Sequence, residues 1–184
     1  MDVVKKAPIP RSAWARIRLF AMDVDGILTD GTVSVSSDGT EAKRFCITDG
    51  LGLLLLRGQG IELAWISGRL SAATTLRAAE LKIPHLIQGR HDKLTALSAL
   101  AAELKIALRD CAYMGDDFID APAISAAGIG ISVPTGLPAA TVSADYVTRR
   151  QAGFGAVREV CDLMLAARSK PSGNPKARRR TKAL

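Results

Sequence analysis

Asp23 and Asp25 stand two residues apart where the apolar run Leu19-Phe20-Ala21-Met22 ends. On an extended chain that spacing points both carboxylates the same way. Two like charges on one face repel unless something sits between them: a divalent cation, a phosphate under attack or a shared proton. Gly26 permits a sharp turn directly after the pair. Three further clusters follow other apolar runs: Ser67-Gly68-Arg69, Lys93 at the start of a helical pattern, and Gly115-Asp116-Asp117 with Asp120 close behind. Together these groups suit phosphoryl transfer. Asp23 and Asp116 are hard oxygen ligands, which favour Mg2+ over zinc. Ser67 and Lys93, with backbone N–H groups, can hold phosphate oxygens. Asp117 and Asp120 have two readings, a hold on a metal-bound water or on Lys93, and for Asp117 a helix N-cap.

The elements that must position these residues alternate. Strands are expected over 18–23, 62–66, 85–87, 111–114, 128–133 and 146–148. Helices are expected over 51–57, from the Ser71 cap to about 81, from the Asp92 cap over 93–105, around Ile119, Ala123, Ile124 and Ala127, and from Gly155 to near 167. Strands alternating with helices predict an α/β fold, a Rossmann-like parallel sheet with helices on both faces. Ligands bind such sheets beyond the carboxyl ends of the strands, which gathers the four clusters at one edge. Thr32 to Phe45 reads as a β-hairpin turning at Asp38-Gly39. An isolated hairpin is marginal in water, so this one needs a partner in the domain or in another subunit. The expected organisation is a loose lead-in over 1–17 with a short helix through Trp14 and Ile17, one domain over 18–168, and a basic disordered tail over 169–184.

Charge sharpens that division. The 184-residue chain carries a net +7, yet Arg168–Leu184 holds seven basic residues and no acid, so the remaining 18 basic and 18 acidic groups balance. The tail has no aromatic residue for base stacking, so nucleic acid is not the expected partner and a solvated extension is. Cys46, Cys111 and Cys161 are too dispersed for a disulfide framework or a zinc site. That usage, with no apolar run near the amino end, fits a cytoplasmic protein. No run approaches the length of about 18 apolar residues that would span a membrane.

Asp23-Val24-Asp25-Gly26, Ser67-Gly68-Arg69, Lys93 and Gly115-Asp116-Asp117-Phe118-Ile119-Asp120 resemble the four motifs of the haloacid dehalogenase superfamily of phosphatases. Asp-Gly-Ile-Leu-Thr-Asp-Gly, Thr-Asp-Gly-Leu-Gly, Gln88-Gly89, Ala144 to Arg149 and Gly155 to Asp162 are similar to its branch acting on sugar acid phosphates. The resemblance covers about residues 18 to 167. It implies the haloacid dehalogenase fold with a minimal cap, here the hairpin. It also implies Asp23 as nucleophile and Asp25 as the group that protonates the leaving alkoxide and later deprotonates water. Mg2+ would be held by Asp23, Asp116 and the backbone carbonyl of Asp25, with Asp117 and Asp120 in support.

Substrate contacts implied by the resemblance are Asp25, Gly68, Arg69, Arg77, Lys93 and the loop Cys46-Ile47-Thr48-Asp49-Gly50. A surface salt bridge is the other reading of Arg77. An eight-carbon sugar acid phosphate is the expected substrate. Cys46, Thr48 and Phe154 depart from the usual pattern and keep a nine-carbon keto sugar acid phosphate, or another small phosphate ester, as the alternative. Relatives are tetramers in which hairpins assemble and a neighbour helps close the site, so a homotetramer is expected.

Overall fold

The computed structural model describes residues 8–169. A six-stranded parallel sheet is built from β1 (Leu19–Met22), β4 (Glu62–Ile66), β5 (His85–Ile87), β6 (Cys111–Met114), β7 (Ile129–Ser132) and β8 (Tyr146–Val147), in the order β5-β4-β1-β6-β7-β8. β2 (Ser34–Val35) and β3 (Glu41–Ala42) form a separate antiparallel hairpin. β1, β6 and β7 are buried at every residue, as near-continuous apolar runs require in a sheet covered on both faces.

Alternate side chains of the strands feed two cores. Phe20, Met22, Leu63, Trp65, Ala112, Met114, Ile129 and Ile131 join one. That core takes in Trp14 of α1 (Arg11–Arg16), Leu53 and Leu56 of α2 (Ile47–Arg57), Ala78 of α3 (Ala72–Glu80), and Val157, Val160 and Met164 of α7 (Ala156–Arg168). Leu19, Ala21, Ala64, Ile66, Cys111 and Tyr113 join the other. It takes in Leu97, Leu100 and Ala101 of α4 (Lys93–Glu103), Ala123 and Ile124 of α5 (Ala121–Ala126) and Ala140 of α6 (Pro138–Ser143). The period of two along the strands thus places helices on both faces, as expected.

β1 is where the strand order reverses. The chain leaves β1 for β4 and β5, then returns to β6 on its other side. Asp23 follows β1 at that switch point, and its N–H donates to Met114 O of β6 at 2.9 Å.

Several expected bounds change. α2 begins at Ile47, four residues before the expected Leu51, so Ile47–Gly50 is a helical turn and not a loop. Its acidic Asp49 suits the positive end of the helix dipole. α5 is confined to Ala121–Ala126 behind Pro122, which leaves Ile119 in the preceding turn. α6 was not expected from the pattern; Pro138 sits at its first position, a place suited to proline. The lead-in is not loose from residue 11 onward. Trp14 is buried edge-on to Tyr146 with centroids 5.7 Å apart, and Arg11 Nε donates to Ala167 O of α7 at 3.0 Å. The hairpin pairs over only two residues a side, with Gly39 at φ 84° in the expected turn. The expected basic tail lies outside the described residues except for Ser169. Among the described residues, no helix is long and apolar enough to cross a membrane.

Candidate active site

Asp23, Asp25, Ser67, Gly68, Arg69, His91, Asp116, Asp117 and Ile119 line one cleft of about 180 Å³ beyond the carboxyl ends of β1, β4 and β6. Asp23 Oδ1 accepts from Val24 N at 2.7 Å and from Lys93 Nζ at 2.9 Å. Lys93 comes from the first residue of α4, whose N-terminus is fixed by Asp92 accepting from Thr95 N at 3.0 Å. Its ammonium is only 1% exposed, donates also to Ile66 O at 2.5 Å, and lies 4.0 Å from Asp120 Oδ1. A buried ammonium persists only when paired and hydrogen-bonded, and this one meets two acids and a carbonyl.

Asp23, Asp116 and Asp120 each place a carboxylate oxygen within 4.8 Å of the others. Burial is the main cause that lifts the Asp23 carboxyl from its ordinary 3.8 to about 6, with the Asp120 charge adding to it and Lys93 opposing. Burial, then the charges of Asp23, Asp120 and Asp117, lifts Asp116 to about 7. The three acids are not equivalent. Asp120 is fully buried and engaged on both oxygens: Oδ1 accepts from Tyr113 OH at 2.7 Å, and Oδ2 from Asp116 N at 3.2 Å and Asp117 N at 3.1 Å. It shapes the loop that presents Asp116. Asp116 Oδ1, by contrast, is buried with no hydrogen-bond partner. Gly26 makes room for this carboxylate: at φ 87° its position has no place for a Cβ, which would lie 2.0 Å from Asp116 Oδ2. Asp117 Oδ1 accepts from Phe118 N at 2.5 Å and caps no helix; Asp120 precedes α5.

Ser67 follows β4 and is buried; its Oγ accepts from Arg69 N at 3.1 Å. The hairpin lies against this wall. Lys43 Nζ is 2.7 Å and 2.9 Å from the two oxygens of Asp25 and donates to Thr74 Oγ1 at 3.2 Å. Glu41 accepts from Arg69 Nη2 at 2.8 Å and from Ser71 Oγ at 2.5 Å. Arg69 Nε is also 3.9 Å from Asp25 Oδ2.

The other expected contacts are not in this lining. Cys46 precedes α2 with its sulfur 3.1 Å from Thr48 Oγ1, and Ile47 is 81% exposed. Asp49 is 1% exposed and accepts from Gly155 N at 3.3 Å and Arg158 N at 2.7 Å, capping α7. Gly50 faces Arg77, whose guanidinium lies 5.9 Å from the Phe45 ring centroid and pairs with Glu80 at 2.7 Å. Sequence reasoning missed Glu41, Lys43, His91 and Tyr113. Glu41 and Lys43, like Asp23 and Asp25, are two apart on extended chain, a spacing that puts both on one face without telling which way that face looks.

The family model for haloacid dehalogenase-like hydrolases matches residues 64–160. The chain is 43% identical over 169 residues to the 3-deoxy-D-manno-octulosonate 8-phosphate phosphatase KdsC of Escherichia coli (strain K12), covering 92% of this chain and 86% of that one. Among solved structures it is similar to the 3-deoxy-D-manno-octulosonate 8-phosphate phosphatase of Moraxella catarrhalis in complex with magnesium ion, phosphate ion and KDO. That match has a TM-score of 0.84 and 53% identity over 85% of this chain and 90% of that one. The Yersinia pestis phosphatase of the same name aligns with a TM-score of 0.85 and 42% identity, over 89% of this chain and 88% of its own. The chain therefore belongs to the haloacid dehalogenase-like hydrolases and, within them, to the family of 3-deoxy-D-manno-octulosonate 8-phosphate phosphatases.

Proposed function

We propose that the protein is a Mg2+-dependent phosphatase that hydrolyses 3-deoxy-D-manno-octulosonate 8-phosphate to the free sugar acid and phosphate, a step toward lipopolysaccharide precursors. The observation that carries the reading is the Asp23–Asp116 carboxylate pair at the sheet's switch point, with one buried Asp116 oxygen left without a partner. The residues fit the metal: the donors are hard oxygens, Gly26 leaves the space, and repulsion between the two acids falls when a dication is bound. Asp23, Asp116 and the backbone carbonyl of Asp25 would hold it. When bound, Mg2+ neutralises charge that develops on the transferring phosphoryl group.

Asp23 Oδ1 is occupied by Lys93 and Val24 N–H, which leaves Oδ2 to attack phosphorus. The P–O bond to the sugar breaks as the Asp23–phosphorus bond forms, and Asp25 gives its proton to the departing alkoxide. Asp25 then takes a proton from water, whose oxygen displaces Asp23 from phosphorus. Ser67 and Lys93 hold the other phosphoryl oxygens. Arg69 at the cleft supplies a fork for the substrate carboxylate.

We place the enzyme in the cytoplasm, which suits its three free cysteines, and as a homotetramer, since Val35 on the hairpin and Ile47 on α2 are large apolar side chains left exposed. The test of substrate is a panel of sugar acid phosphates with purified protein and Mg2+. The eight-carbon ester should have the highest kcat/KM. A higher value for the nine-carbon keto acid phosphate would reassign the substrate and leave the chemistry unchanged.

A further inference from the structure

The proposed reaction gives Asp23 and Asp25 different tasks, and each acid has its own lysine. Lys93 serves Asp23. Lys43, from the hairpin, serves Asp25. We propose that Lys43 is a positioning residue for the proton-transfer step: it fixes the orientation of the Asp25 carboxyl group, whose proton goes to the leaving group. The proposal rests on the phosphatase reading of the site.

Lys43 is an odd residue for a solvent-facing hairpin. Its neighbours Val35 and Ala42 are exposed, yet the Lys43 side chain is 0% exposed. Three elements enclose its ammonium. The turn after β1 offers Asp25 at 2.7 and 2.9 Å. The first turn of α3 offers Thr74 Oγ1 at 3.2 Å, and the hairpin itself offers Glu41 at 3.8 Å. Glu41 is already held by Arg69 and Ser71, so it keeps Lys43 on the hairpin side while Asp25 takes the shortest contact.

An aspartate side chain with no partner samples several rotamers, and proton transfer needs one of them. Contacts to both Asp25 oxygens remove that freedom. The same contact ties a hairpin of two-residue strands to the cleft. A hairpin anchor alone and a positioning role make different predictions, because only the second depends on the leaving group. A sugar alkoxide needs a proton as it departs; p-nitrophenolate does not. The value of kcat/KM reads the steps up to leaving-group departure, free of the later hydrolysis of the aspartyl-phosphate.

The experiment compares the full-length wild type, Lys43→Met and Lys43→Arg with Mg2+ on 3-deoxy-D-manno-octulosonate 8-phosphate and on p-nitrophenyl phosphate. Lys43→Met should lower kcat/KM for the sugar phosphate by about 10²-fold, the low end for loss of general acid catalysis. For p-nitrophenyl phosphate the fall should be much smaller. Lys43→Arg, which keeps the charge, should recover most of the loss. Where Lys43→Met does not fold, Lys43→Gln takes its place and is read the same way. Equal losses on both esters would reduce Lys43 to a hairpin anchor, and wild-type kcat/KM on the sugar phosphate would remove any role; either overturns the proposal. Failure of the wild type to hydrolyse the sugar phosphate is a separate result, which overturns the underlying reading and this proposal with it.

Discussion

Asp23, Asp25, Ser67, Lys93 and Asp116 were legible as candidates because each follows a strand or opens a helix, and a parallel sheet gathers such positions at one edge. Lys43 was not, because a lysine on a short polar hairpin reads as solvent-facing until the hairpin is folded onto the cleft. The unequal environments of the acids give two predictions. Gly26→Ala forces a Cβ toward Asp116 at a left-handed φ of 87°, a backbone strain of about 1–2 kcal/mol before any clash. Mg2+ affinity, read by titration calorimetry, should weaken by about tenfold or more. The second concerns pH. Asp23 and Asp116 are raised from 3.8 to about 6 and about 7 in the metal-free site, so the folded protein holds protons that the unfolded chain has released. Their contribution therefore favours the metal-free fold below about pH 4 and is lost as pH rises toward 7. Mg2+ requires both carboxylates ionised, so the Mg2+-induced rise in Tm should grow between pH 5 and 8. An equal rise across that range would contradict the pairing of these two acids with the metal.

Elements connect the site to the rest of the chain. The alternation of strands and helices was readable from apolar periodicity, and the caps at Ser71 and Asp92 form as expected, accepting from Thr74 N and Thr95 N. The start of α2 was not readable. Asp49-Gly50 looks like a turn, and only the tertiary contact from Asp49 to Gly155 and Arg158 reveals that this carboxylate caps a helix from a distant part of the chain. Gly155 itself lies at φ 101° and has no side chain with which to cap α7, so Asp49 supplies the missing acceptor. Asp49→Ala should destabilise the fold by about 2 kcal/mol, the loss of a helix cap combined with two N–H groups left without their acceptor. Urea denaturation would measure it. A change below about 0.5 kcal/mol would place the anchoring of α7 elsewhere.

At the scale of the whole molecule, the α/β architecture and its hairpin follow from one pattern, strands alternating with helices plus one short insertion. The assembly does not. Which exposed apolar residues meet one another is a matter of two surfaces, and a single chain's periodicity describes only one of them. Val35 at the hairpin and Ile47 at the start of α2 should be covered in solution. Sedimentation is expected to give four times the 19.5 kDa chain mass, and a single 19.5 kDa species would contradict that assembly. The central claim is the reaction itself, with Asp23 as its nucleophile, and it is tested by phosphate release from 3-deoxy-D-manno-octulosonate 8-phosphate in wild type and Asp23→Asn, with Mg2+ and with chelator. Release should require Mg2+ and fall by about 10³-fold or more in folded Asp23→Asn. Release that survives either the substitution or the chelator would contradict it.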